Sequence, residues 1–187
     1  METVLSICLG VGLSAACGFR VFVPPFLAGL AAATGQVGLP ESAQWLGSPL
    51  ALTLLGTAAL LEIGAYFFPF IDNALDAIAT PTAAIAGTLL TASLIVEASP
   101  AVRWSLALIV GGGAASATQT LTTLTRAGSS VTTAGLANPA IAGVETAASI
   151  GATALALLAP IAAAVVAVLL VVLALRLFLR RRVRTAG

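Results

Sequence analysis

Arg20 stands in the run Ala16-Cys17-Gly18-Phe19-Arg20-Val21-Phe22-Val23-Pro24-Pro25, a permanent charge and a proline pair inside an apolar stretch from Val4 to about Ala33. A guanidinium at the centre of a membrane helix costs about 2.5–3.5 kcal/mol on insertion scales, so such a residue needs a partner. Glu62 and Glu145 lie in comparably apolar runs and are the two acids placed to answer it. Charges at such depth either pair to lock a bundle or line the path of an ion or polar solute. Pro24-Pro25 beside Arg20, and Asn138-Pro139 ahead of Glu145, are helix breaks that would free backbone groups for the same purpose.

Three further groups have candidate chemistry. Asp72 and Asp76, four residues apart, present two carboxylates to one side of a helix, at the mouth of such a path or as a solvated first turn capped by Asp72. Two carboxylates are few for Mg²⁺ or Ca²⁺, which usually take six or more oxygens. Arg126, among threonines and serines, is suited to a phosphate or simply to water. Cys8 and Cys17 are nine positions apart, about 13 Å along a helix, too far for a disulfide. Without a histidine in the chain, His-ligated metals and His-based triads are excluded. No phosphate-binding loop, dinucleotide fingerprint or zinc spacing occurs, so no metal or cofactor is expected and enzyme signatures are lacking.

The elements that carry these residues must live in lipid. Of 187 residues 59% are hydrophobic and 8% charged, against about 25% charged in soluble domains. The chain reads as one all-α transmembrane domain over 1–187. All eight basic residues are arginines, and Arg176, Arg180, Arg181, Arg182 and Arg184 form a basic tail over 176–187. That tail directly follows a long apolar run, which puts the C-terminus in the cytoplasm and the protein in the cell (inner) membrane. The alternative, a polybasic surface for headgroups or nucleic acid, is the weaker one, and no nucleic-acid partner is expected. Ser14-Ala15-Ala16-Cys17 faintly resembles a cleavage site, but no positive segment precedes it and the apolar run continues past the cysteine.

Capped prolines divide the chain. Ser48-Pro49, Thr80-Pro81, Ser99-Pro100 and Asn138-Pro139 open helices near 49–68, 81–97, 100–124 and 139–180. The segment 4–33 is too long for one uniform span and breaks at Pro24-Pro25 into helices near 3–22 and 24–33. A short interfacial or re-entrant helix covers 72–80, Tyr66-Phe67-Phe68-Pro69-Phe70 forms an interfacial belt, and Trp45 anchors a loop over 34–48. Glu97 and Arg103 neutralise each other across a turn. Thr118–Thr133 reads as a helix end and long polar loop, and the last helix bends at Pro160. Gly10, Ser14 and Gly18 form a stripe of small residues for close packing, within or between chains. With 4–33 as one crossing the count is five spans, the Glu97–Arg103 turn inside and Arg126 outside.

The series Gly18-Phe19-Arg20-Val21-Phe22-Val23-Pro24, Trp45-Leu46-Gly47-Ser48-Pro49, Glu62, Pro69, Asp72, Asp76, Pro81, Gly87, Thr125-Arg126 and Asn138-Pro139 with Glu145 resembles the bacterial membrane proteins grouped as domain of unknown function 4126. The resemblance implies an architecture and a residue set but no substrate. Tyr66, Thr80 and Thr146 depart from it, standing where the pattern often has aspartate, arginine and aspartate.

The leading expectation is a small-solute or ion transporter or channel, with Arg20, Glu62 and Glu145 on the path, Asp72 and Asp76 at its mouth, and a polar cavity reaching Arg20. The rival is a lipid-handling protein in which Arg20 and Arg126 hold an anionic or polyprenyl-phosphate headgroup in a groove open to lipid. A structural protein with Arg20 paired in a dry core is the third, and an enzyme of lipid metabolism the fourth. Expected partners are the lipid bilayer, a small ion or anionic ligand, and a second copy of the chain.

Overall fold

The computed structural model describes residues 2–66, 69–96 and 98–185, with the backbone alone at 2, 69–74, 76–77 and 180–185. The helices are α1 (Glu2–Cys17), α2 (Val23–Ala33), a 3-10 helix (Glu41–Gly47), α3 (Pro49–Ala65), α4 (Pro69–Leu94), α5 (Pro100–Leu106), a π-helix (Ala107–Gly112), α6 (Gly113–Thr133), α7 (Asn138–Leu158) and α8 (Pro160–Thr185). The described residues contain no strand, so the all-α expectation holds. Among the described residues two helices, Asn138–Leu158 and Pro160–Leu179, are long and apolar enough to cross a bilayer, and a third crossing follows if the 3-10 helix and α3, bent by 64°, count as one. The chain is a membrane protein.

The first helix stops earlier than expected. α1 ends at Cys17, and Pro24 and Pro25 sit in the first turn of α2 rather than interrupting a helix that reaches residue 22. Proline is accommodated there because its missing N–H would be an orphan anyway. The break is therefore Gly18–Phe22, and the chain reverses at it. Val37, Leu39 and Pro40, just past α2, line the same cavity as Thr3, Ser6 and Leu9 of α1. The stretch 4–33 is thus a helix-break-helix hairpin and not one crossing.

Three other boundaries differ. Residues 69–94 form one helix, so the short helix over 72–80 is the start of α4 and Pro81 lies inside it. Pro81 forfeits one backbone bond, and one residue on, the Thr82 hydroxyl donates to the Ile78 carbonyl at 2.7 Å. The Thr- and Ser-rich stretch to Thr133 is helical, with no polar loop. Its hydroxyls donate to carbonyls four residues back, as Ser116 does to Gly112, Thr120 to Ser116 and Thr132 to Gly128, so the side chains need no water. Pro160 separates two helices that fold back on each other, and Asn138 starts α7 without capping it; the cap position is Ala137, with no side-chain bond.

Close approach of α1, α4 and α6 forms the core. Ser14 Oγ donates to Gly87 O at 2.7 Å and lies 2.7 Å from Thr91 Oγ1, and a methyl on Gly111 would stand 2.7 Å from Gly87 O. Gly18 lies against Thr118 and Gln119, and Gly12 against Ala156 and Ala163. The small-residue stripe therefore packs within the chain. These contacts fix directions: α4 and α7 run antiparallel to α1, whereas α6 and α8 run parallel to it. Arg126 consequently lies at the same end of the bundle as the C-terminal arginines, and the turn before Pro100 at the other, the reverse of the expected placement. Glu97 itself falls outside the described residues.

Gly111→Leu should destabilise the fold by about 1–3 kcal/mol, the usual cost of overpacking. Gly113→Ala, which meets nothing within 4 Å, should be neutral or stabilising. Thermal unfolding of the purified protein in detergent distinguishes the two.

Candidate functional site

Backbone reversal at Gly18–Phe22 leaves the Val21 and Phe22 amides, just ahead of α2, without helical acceptors. Glu62, near the end of α3, supplies them. Val21 N donates to one carboxylate oxygen at 2.7 Å and Phe22 N to the other at 3.0 Å. An acid at a helix N-terminus also meets the positive end of the helix dipole. In an apolar medium an unsatisfied amide costs several kcal/mol, so α2 can begin here only with such an acceptor.

Arg20, at the centre of the break, is 1% exposed. Its Nη1 donates to Glu145 Oε2 at 3.2 Å and to its neighbour's carbonyl, Phe19 O, at 3.3 Å. Nη2 reaches Ala142 O at 2.8 Å, and Nε reaches Thr146 Oγ1 at 3.1 Å. All but one of these acceptors belong to two turns of α7. Glu145 lies seven residues into α7, about 10 Å along the helix.

Arg126 of α6 approaches the same carboxylate. Its Nε donates to Glu145 Oε1 at 3.0 Å, and its Nη2 to Oε2. Glu145 is thus shared by two guanidiniums. Both also lie over the ring of Tyr66, with Arg20 Cζ 4.1 Å and Arg126 Cζ 4.0 Å from its centroid. Cation–π contacts of this kind are worth about 0.5–2 kcal/mol each, the larger values applying where water is absent. Helix α1's end, α3, α6 and α7 thereby meet at one point.

Of the residues singled out in the sequence, Arg20, Glu62, Glu145 and Arg126 converge. Pro24 and Pro25 shape the break; Pro81 and Pro139 lie within or at the start of helices away from it. Asn138 turns back towards α6, its amide donating to Ser130 Oγ at 3.4 Å. Asp72 and Asp76 have described backbone in α4, but their side chains lie outside the described residues.

Tyr66 and Thr146 escaped the sequence reading as site residues. Tyr66, expected in an interfacial belt, is 6% exposed and central; Phe67 and Phe68 of that belt lie outside the described residues. Both touch Arg20 directly, and the signal for them in the sequence is that both stand out in the resemblance described above.

A cavity of about 380 Å³ lies beside this centre, between α3 and α4. Its wall is mostly apolar, and includes Glu62, Tyr66 and Thr82 but no arginine. The expected polar cavity reaching Arg20 is not found among the described cavities.

Glu145→Gln should destabilise the protein by about 3–5 kcal/mol, as expected when one partner of a buried ion pair is removed. Thr146→Val, which removes one hydrogen bond, should cost about 1 kcal/mol. Unfolding in a graded detergent series measures both.

No curated protein and no solved structure matches the chain. Residues 7–180 match the family described as "Domain of unknown function (DUF4126)". With nearly the whole chain covered, and the Arg20, Glu62, Arg126 and Glu145 positions inside the match, the protein belongs to the DUF4126 family.

Proposed function

We propose that the protein moves a small polar solute or ion across the bilayer, with the break at Gly18–Phe22 as its centre. One observation carries this reading: a helix broken inside an apolar bundle, its free amides held by a side-chain acid, with two arginines and a second acid gathered at the same place. Discontinuous helices with ionisable groups at the break are the usual construction of transporter binding sites. An ion pair kept only for stability is a poor use of buried charge, because apolar residues of similar volume are often as good or better.

In this reading the arrangement is an occluded state. Arg20, Arg126 and Glu145 are buried, and opening requires their mutual contacts to be exchanged for contacts with the solute. The transported species is a small ion or an anionic solute able to take the place of Glu145 on the guanidiniums. In the same reading, the positive-inside rule and the C-terminal arginines favour the cytoplasmic side of an inner membrane for the end of the bundle that holds Arg126. Asp72 and Asp76 belong at the mouth on that side.

A bundle-locking role is favoured by a different observation, the 1% exposure of Arg20 with a carboxylate in direct contact. Flux separates the two. In proteoliposomes with imposed gradients of protons, Na⁺, K⁺, chloride or phosphate, the wild type should carry at least one of them. Arg20→Gln, Glu62→Gln and Glu145→Gln, each checked for a native elution profile, should slow that flux by about tenfold or more, equivalent to 1.4 kcal/mol of barrier. Flux unchanged when the three substitutions are combined overturns the transport reading, and absence of flux in the wild type leaves the lock.

A further inference from the structure

Glu62 differs from Glu145 in what its charge faces. Its two oxygens accept the Val21 and Phe22 amides, and among the described residues no arginine lies within ion-pair distance of it. A carboxylate offers about four lone-pair sites, so capping α2 leaves room for further donors. On that side lies the cavity between α3 and α4.

The shape of this cavity says where its occupant comes from. α3 packs chiefly on α2 and the 3-10 helix and makes little contact with α4. The rim residues Leu61 and Ile78 are 69% and 57% exposed, so the space opens sideways, where the bilayer lies, and not along the bundle axis. Val21, Phe22, Ala58, Ala65, Leu75 and Ala79 make the wall apolar. Thr82 adds a hydroxyl, already donating to Ile78 O at 2.7 Å and so free to accept.

The charge at the inner wall selects the headgroup. The guanidiniums stand against Tyr66 and Glu145 and do not line the cavity. An anionic headgroup would therefore meet an acid. Among the described residues, a hydrated divalent cation would find one carboxylate and a hydroxyl where it needs about six oxygens. A protonated amine on an apolar chain fits both the wall and the acid.

We propose that the cavity between α3 and α4 is a binding site for amine-bearing amphiphiles, entered from the bilayer, in which the ammonium is received by Glu62 and the chain lies between Leu61 and Ile78. The site is independent of whether the neighbouring centre transports anything.

The test uses the full chain in lipid nanodiscs and a dodecylamine carrying a terminal diazirine. Photolabelling should map to residues 58–66 and 75–82, and plain dodecylamine should compete about tenfold or more better than dodecanoate, a difference of 1.4 kcal/mol. Glu62→Gln should weaken labelling by a similar factor. Because that variant also weakens the cap on α2, Ala58→Phe, which fills the cavity and leaves the cap alone, is the second arm and should abolish labelling there. Equal competition by the carboxylate, or labelling of α3 and α4 that survives Ala58→Phe, overturns the proposal.

Discussion

Satisfying a broken backbone in an apolar medium is the constraint on which the rest of this structure depends. Between Gly18 and Phe22 the chain turns back inside the bundle, and its amides need acceptors there from the protein itself. Glu62 takes two of them, which ties α3 to the start of α2. The break also carries Arg20, whose guanidinium finds its acceptors on α7. One five-residue interruption therefore dictates the positions of two distant helices. The bonds are local in space and remote in sequence: 41 residues separate Val21 from Glu62, and 125 separate Arg20 from Glu145.

Such a centre can be buried only if the helices around it come very close. Gly18, Gly87 and Gly111 let backbone meet backbone or side chain at distances a Cβ would forbid. Ser14 and Thr91 meet hydroxyl to hydroxyl across the contact, and their hydroxyls reach the Gly87 and Gly10 carbonyls as donors. Within a bilayer, apolar surface gives helices no reason to prefer each other over lipid, so small residues and hydroxyls must supply the attraction. The π-helix at Ala107–Gly112 belongs to the same fit. Its wider turn presents Gly111 and Gly112 together to α4, with Thr88 and Thr91 filling the space.

Composition and proline positions made the class, most helix starts and the convergence of Arg20, Glu62 and Glu145 legible in the sequence. What they could not supply was path. A proline pair marks where a helix is difficult, but whether the obstacle is met by a kink, a new crossing or a reversal depends on which acceptor arrives, and Glu62 is 40 residues from the Phe22 amide it receives. Thr118–Thr133 looked like a loop because hydroxyls and an arginine suggest water. Hydroxyls that bond the preceding turn need none, and Arg126 had a carboxylate waiting 19 residues on. Tyr66 looked like a headgroup-level aromatic for the same reason: its ring is amphipathic, and two guanidiniums can take the place of the interface.

These contacts also determine which element is able to move. α1, α4, α6, α7 and α8 interlock through the glycine contacts, whereas α3 rests mainly on α2 and the 3-10 helix. Yet α3 and the residue after it supply both Glu62 and Tyr66. A displacement of α3 would therefore withdraw the cap of α2 and the ring over both arginines in one step, while leaving Glu145 in place on α7. The two acids are not equivalent for that reason. Glu145 holds the guanidiniums to the fixed part of the bundle, and Glu62 holds the break to its loosest helix. An opening of the centre that keeps the core intact would run through α3, and the lateral cavity lies beside that helix.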